Sequence, residues 1–485
     1  MKLKTHIPLM AVYVLFTATI TSCKKLVDVP EPINTITTAE TFSTDGTATS
    51  AVVAIYNDLI TGYKSNDDYD YGNGLTTFDA GLSADEFNYF NGASNTETYQ
   101  FQNNALLSSS GTLETYFWNA PYFNIYLANA GIEGLQASTT LTPATKTQLL
   151  GEAEFLRAYD YFYMVNFYGT CPLVTTTAFV TNAKISNATP VQIYQQIIND
   201  LQSAQSLLPG DYSVSGGQRI RANKWAATAL LARVYLYYAN ITGDASNYSK
   251  AAAQATSLIN NTSLYQLTTL DSVFLANSQE AILQLQPNSQ SQYATWEGFE
   301  EIPNRSYSGS NYPTYYLTTE LLSAFEPNDN RKAFWVDTNT YNGITYYFPY
   351  KYKVKTASSS TSTEYYMMLR LGEQYLIRAE SEANGAPGGT TAAIADLNVI
   401  RNRAGLAPLP SSLDQEQVIA AVAQERRIEL FAEWGHRWFD LKRTKMATTI
   451  LSKEKGFNVS NNDLVYPIPL GELQDDPFLK QNPGY

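Results

Sequence analysis

The sequence predicts a mainly α fold: tetratricopeptide-like helix pairs forming a scaffold, with an irregular loop-rich face and a few short strands. Three observations carry this. Apolar residues recur at helical spacing over long stretches, as at Leu149, Ala153, Leu156, Tyr159 and Tyr163, which lie 4, 3, 3 and 4 apart. Helix-start signals stand where such stretches begin, as in Thr142-Pro143. Between them run segments rich in Asn, Ser, Thr and Tyr that keep no period.

The first element is not part of the fold. Lys2 and Lys4 precede an apolar run from Ile7 to Ile20, and small polar residues follow. This is the pattern of a secretory signal, too short to span a bilayer core, which needs about 20 residues. Ile20-Thr21-Ser22-Cys23 then reads as a lipobox, with an aliphatic residue at −3 and a small one at −1. Residues 1–22 are therefore expected to be a lipoprotein signal peptide. Cys23 is expected to be acylated, with residues 23–37 as a short lipidated tether.

Residues 38–260 are expected to form an N-terminal helical region. Asp45 is placed to cap a helix over 46–63. Residues 64–111 are expected to be mostly irregular, and helices follow at about 113–134 and 143–168. Further helices are predicted at about 190–208, 222–241 and 247–260. Ala222, Trp225, Ala229, Ala232 and Leu236 make one stripe, whose alanines permit close helix crossing.

Residues 261–355 read as a variable insertion with two strand-like runs, AILQLQ at 281–286 and TYYFPYKYKV at 345–354. It also holds a long Tyr-, Asn- and Ser-rich loop. Loops of this length are usually functional or disordered, and such aromatic density argues against disorder. Residues 356–485 are expected to form a C-terminal helical region, with helices at about 369–384, 389–404 and 414–445. The repeat period is loose, so helical-hairpin packing within one structural unit (23–485) is expected rather than a regular solenoid.

Composition narrows the function. Of 32 Lys and Arg, two leave with the signal, so 45 Asp and Glu face 30 basic residues, a balance of −15. An acidic chain without a basic block disfavours nucleic acid. The two cysteines, Cys23 and Cys171, make no disulfide framework, and Cys171 in an apolar setting reads as a buried small hydrophobe. The 36 tyrosines outnumber all lysines and arginines together, more than one core needs. At a surface, tyrosine offers a flat apolar face with a polar tip.

Catalytic and metal patterns are sparse. His6 leaves with the signal, so His436 is the mature chain's one histidine, which removes most histidine-based catalysis. Glu433 and His436 form an E-x-x-H with Glu425 and Glu429 upstream, but a di-iron site of that kind needs a second such pair. Charge pairing along and between helices accounts better for Glu425, Glu429, Glu433 and Arg437, with Arg426, Arg427, Asp440 and Arg443 beside them. No phosphate-binding loop, nucleophile elbow or zinc spacing occurs.

Several blocks carry a family resemblance. FLRAYDYFYMVNFYGTCPLV (155–174), RANKWAATALLARVYLYY (221–238), LRLGEQYLIRAESEAN (369–384), LNVIRNRAGL (397–406), ERRIELFAEWGHRWFDLKR (425–443) and VYPIPLGEL with QNPGY (465–485) stand in order along the chain. Together they resemble the SusD/RagB family of outer-membrane nutrient-binding lipoproteins. The resemblance implies a non-enzymatic, surface-exposed lipoprotein; no cofactor is expected, and the residues single out no metal site. It also implies a SusC-like TonB-dependent transporter as partner and a glycan or oligosaccharide as cargo, with peptide cargo as the alternative and hydrolase activity a remote one. Cys171 stands where the family pattern suggests an aliphatic residue.

The resemblance transfers no ligand contacts, so the site is read from residue chemistry. Sugars present apolar C–H faces ringed by hydroxyls, which calls for aromatic platforms with amide or carboxylate groups at the rim. Tyr89, Phe90 and Asn91 in one loop, and Tyr293, Trp296, Tyr307, Asn311 and Tyr312 in another, offer that combination. Asp85 is a further candidate polar partner.

Overall fold

The computed structural model describes residues 37–63, 70–94, 96–303 and 312–485. Cys23 and the segments assigned as signal and tether up to residue 36 lie outside the described residues, as do Tyr307 and Asn311. The chain is mainly α with a few short strands. Among the described residues no helix is long and apolar enough to cross a membrane.

The first elements are α1 (Thr38–Thr41), α2 (Asp45–Thr61), α3 (Leu75–Ser83), β1 (Phe87–Tyr89) and α4 (Thr96–Gln102). The sequence expectation missed α3 and α4, because their apolar residues are few and short-ranged. All nine residues of α3 are nonetheless buried. Thr44, not Asp45, caps α2: its side chain accepts from the Thr47 amide. Asp45 instead accepts from the Thr142 amide and hydroxyl at 2.9 and 2.7 Å, pinning two helix starts together.

Next come α5 (Ala120–Ala137), entered through a π-helical turn at Leu113–Asn119, and α6 (Pro143–Tyr168). A two-residue ladder of β2 (Cys171–Pro172) and β3 (Asn187–Ala188) flanks α7 (Phe179–Asn182). Three helices follow, α8 (Pro190–Leu207), α9 (Lys224–Thr242) and α10 (Ser246–Ile259). Cys171 is fully buried, as a small hydrophobe in that setting should be.

The insertion holds β4 (Ala281–Leu285), α11 (Trp296–Glu301), β5 (Tyr315–Leu317), α12 (Thr319–Ala324), α13 (Asn330–Trp335), β6 (Val336–Tyr341) and β7 (Ile344–Pro349). The C-terminal part holds β8 (Tyr366–Arg370), α14 (Leu371–Ala383), α15 (Gly389–Arg403), α16 (Gln415–Glu429), α17 (His436–Arg443), α18 (Ala447–Lys455) and α19 (Leu470–Asp475).

The scaffold is a succession of packed helices: α5 on α6, α6 on α8, α8 on α9, α9 on α10, α10 on α14, and α14 on α15 and α16. Ala226, Ala229 and Ala232 of α9 are fully buried, which lets neighbouring backbones approach. One hydrophobic cluster runs from Phe42 to Leu479, and a smaller one joins α14, α15 and α16 around Leu376, Leu397 and Val422.

The single helix expected over 414–445 is two helices. It stops at Glu429, and Ala432, Trp434 and Gly435 take left-handed backbone conformations, with φ of 52°, 49° and 67°. Tertiary burial outweighs helix propagation here. Trp434 stacks on Tyr366 at 4.7 Å and its indole N–H donates to the Met367 carbonyl at 2.7 Å. Glu433, turned off the helix, reaches Lys351 at 2.5 Å and Arg370 at 2.8 Å.

Candidate functional site

The two aromatic loops meet through a pair of short strands. β1 and β5 run antiparallel, with Phe87 opposite Leu317 and Tyr89 opposite Tyr315. This register brings Phe90 beside Tyr312, and the rings stack with centroids 3.8 Å apart and 12° between planes.

A hairpin supplies the rest. β6 and β7 pair from Val336–Pro349 to Tyr341–Ile344, closed by Asn342-Gly343 with φ of 51° and 79°. Two successive positive φ values match the right-handed twist of the strands, which is why Asn-Gly suits this turn. Period-two alternation puts Tyr341 and Tyr346 on one hairpin face. Tyr341 meets the edge of Phe90 at 5.7 Å and Tyr346 does so at 5.4 Å. Tyr341 also packs edge-on against Tyr312 at 5.3 Å, and Tyr346 against Tyr316 at 5.1 Å. Phe90, Tyr312, Tyr341 and Tyr346 are all half-buried. Asn91 is exposed beside them, its amide N–H donating to the Tyr89 hydroxyl at 3.3 Å.

Residue chemistry alone does not single out Tyr341 and Tyr346. A signal exists: Asn-Gly between the β-prone runs VDTNTY and ITYYFP is a hairpin signature, and period-two alternation across it places both rings on one face.

Other candidates lie elsewhere. Trp296 is only 4 % exposed: Thr295 caps α11 and turns the indole inward, against Phe299 at 5.3 Å and close over Gly74. Its face is not offered to solvent, because the helix start points it at the core. Tyr293, half-buried with φ of 56°, borders a separate cleft of about 370 Å³ with Asn57, Gln286 and Asn288. Asp85 is not a free rim carboxylate. It is buried, and both its oxygens accept from Arg437 at 2.7 Å, with Arg427 at 2.8 Å. Burial pushes its pKa up, but the two guanidiniums outweigh this and hold it well below the usual carboxylate range.

The protein also holds a buried charged network. Arg370 bridges Glu280, Glu429 and Glu433 at 3.0, 2.7 and 2.8 Å, and Arg331 pairs with Asp329, Glu425 and Glu429. So Glu425 and Glu429 pair between helices, with Arg401 and Arg403 of α15, as well as with Arg331 and Arg370, while Glu433 pairs with Lys351 and Arg370. Nearby, burial and then the charge of Asp85 push Glu86 up to about 8, and burial pushes Glu297 up to about 7. His436 is buried and its pKa is lowered well below the usual value, by burial and then by Arg233 and Arg426. Among the described residues no three His, Cys, Asp or Glu side chains are grouped to hold a metal ion. The site can therefore present flat aromatic surface with hydroxyl and amide groups.

The SusD family model matches residues 279–485, and a second, described as starch-binding associating with outer membrane, matches residues 57–236. The chain belongs to the SusD/RagB family. A SusD-like protein of Formosa agariphila is 26 % identical, with 96 % of each chain covered. The starch-binding protein SusD of Bacteroides thetaiotaomicron is 24 % identical over 72 % of this chain and 75 % of that one. A SusD superfamily protein from Parabacteroides distasonis has the same fold, with TM-score 0.76, 24 % identity, and 90 % and 99 % of the two chains covered. A laminarin-binding SusD-like protein gives TM-score 0.72 at 25 % identity, with 90 % and 99 % covered.

Proposed function

We propose that the protein is a lipid-anchored, surface-exposed binder of glycan or oligosaccharide that passes its ligand to a SusC-like TonB-dependent transporter, without catalysing a reaction. The observation that carries the ligand class is the Phe90–Tyr312 stack edged by Tyr341 and Tyr346, beside the exposed Asn91 amide. Pyranose C–H faces pack on such rings while hydroxyls and amides take the sugar's rim. Relatives that bind starch and laminarin support the same class. Anchoring through Cys23 and the transporter partner rest on the lipobox and on family membership.

Calorimetry of the purified protein against a panel of oligosaccharides tests the ligand class. Binding of at least one glycan, weakened by truncating the cluster, is expected. No heat from any glycan, together with binding of an extended peptide, would replace this reading with peptide uptake. Gentle detergent extraction tests the partner: the protein should co-purify with an outer-membrane β-barrel transporter, and isolation always as a lone chain would overturn that part.

A further inference from the structure

The most exposed large apolar side chains among the described residues are neighbours. Phe179 is 81 % exposed and Val180 is 72 % exposed, at the tip of the loop between β2 and β3. Their exposure is not the result of a loosely held loop. The ladder of Cys171 with Ala188 and Pro172 with Asn187 closes its base. The Tyr161 hydroxyl bonds both the amide and the carbonyl of Val174 at 2.7 Å, and the Asn129 amide donates to the same carbonyl at 3.0 Å. Glu133 accepts from the Thr177 amide at 2.9 Å and from its hydroxyl, and Asn182 donates to the Thr176 carbonyl at 2.7 Å. A braced loop that still holds two adjacent apolar side chains in water marks an interaction site.

Its place in the molecule suggests the partner. Glu133, which anchors the loop, also lines a cleft of about 450 Å³ with Thr38, Ala39 and Phe42, the first described turns of the chain. The tip thus lies at the end of the protein where the chain leads back to Cys23. Only residues 24–36 intervene, at most about 45 Å even when fully extended. Tyr126 is 51 % exposed on α5, on the helix face of Tyr122, Asn129 and Glu133, all three of which bond to this loop. A tyrosine there suits the headgroup level of a membrane.

We propose that Phe179 and Val180, flanked by Tyr126, form an apolar foot that inserts into the lipid surface to which Cys23 is anchored. The proposal rests on the reading of Cys23 as the anchor. Two adjacent side chains are too few for a stable protein–protein contact, which buries about 1,600 Å², but they suffice for shallow insertion beside an existing lipid anchor. With a balance of −15, the body cannot be held down by charge on an anionic surface, so an apolar contact is the available means. The foot would fix how the tethered body stands on the membrane.

Spin labelling tests this. Cys171 is fully buried and Cys23 is acylated, so Val180→Cys offers one reactive thiol in the full mature lipoprotein. The labelled protein is reconstituted in vesicles of phosphatidylethanolamine and phosphatidylglycerol, with no other protein. A label at the exposed Ser412→Cys serves as the water-facing reference. The expected result is a several-fold higher ratio of oxygen to nickel-complex collisions at position 180 than at 412. Protein that floats with vesicles but gives equal ratios overturns the foot and leaves the anchor intact. Protein that fails to float overturns the anchor reading and the foot with it. A label shielded only after an outer-membrane transporter is added makes the tip a protein-docking site and overturns the lipid assignment.

Discussion

Arg437 grips Asp85 through two hydrogen bonds of 2.7 Å, although 352 residues separate them in the chain. Asp85 lies two residues before β1, so this pair fastens the strand that leads to Phe90 onto the C-terminal helices. Removing one partner of a buried pair typically costs 3–5 kcal/mol, and Arg427, 2.8 Å from Asp85, offsets part of that loss. Arg437→Ala should therefore lower stability by about 3 kcal/mol in urea denaturation, and should weaken ligand binding through a displaced Phe90.

Phe90→Ala and Tyr346→Ala remove aromatic surface from the proposed platform without emptying the main core. Each should weaken oligosaccharide binding roughly tenfold, or ~1.4 kcal/mol, with little change in denaturation midpoint. Trp296→Ala should behave oppositely. Its indole is buried, so truncation should cost ~3 kcal/mol of stability, while calorimetry on the folded fraction finds a smaller change in affinity than Phe90→Ala gives.

Gly435 has φ of 67°, and a Cβ there would lie 2.7 Å from the Ala80 Cβ and 3.2 Å from the Thr76 carbonyl. Both backbone strain and close contact oppose a side chain. Gly435→Ala should destabilise by about 1–3 kcal/mol, read as a lower melting temperature. An unchanged value would mean that the turn between α16 and α17 relaxes freely.

Glu86 offers a pH test. Its folded pKa, pushed up to about 8 by burial and by Asp85, lies above the ordinary value of 4.5. Between those values the folded state keeps a proton that the unfolded state has released, so this group's contribution to stability falls as pH rises. Below 4.5 both states are protonated and the contribution is level. Glu86→Gln removes the titration. Relative to the variant, the wild type should lose up to ~1.4 kcal/mol per pH unit between about pH 5 and 8. Parallel denaturation curves at pH 5 and 8 would contradict this.

Cys23→Ala tests location. Without a thiol to acylate, the anchor is absent, and each buried methylene of such an anchor contributes about 0.8 kcal/mol. The variant should move from the membrane pellet to the soluble fraction, with glycan binding by the soluble protein unchanged.

Local rules made much of the scaffold legible. α6 runs from Pro143 to Tyr168, with Thr142-Pro143 and the 3–4 spacing marking its start and its length. α9, α10, α14 and α15 were readable for the same reason, because amphipathic period and terminal residues act within a few turns. α3 and α4 were not, since short helices owe their existence to what covers them. The 414–445 stretch shows the limit most clearly. Its helical period continues through Glu433, yet the chain turns at Leu430 because burying Trp434 and pairing Glu433 outweigh further helix.

For this protein the sequence alone determined the helical class, the candidate anchor at Cys23, the family resemblance and the two loops rich in aromatics. Only the tertiary structure decided which aromatics stand together. It joined Phe90 to Tyr312 through the β1–β5 register, added Tyr341 and Tyr346 from a hairpin, and turned Trp296 inward and Asp85 into an ion pair. The physical reason is range. Helix period and capping are set by neighbours a few residues apart. Ring stacking and buried ion pairs form between segments hundreds of residues apart, whose meeting no local pattern encodes.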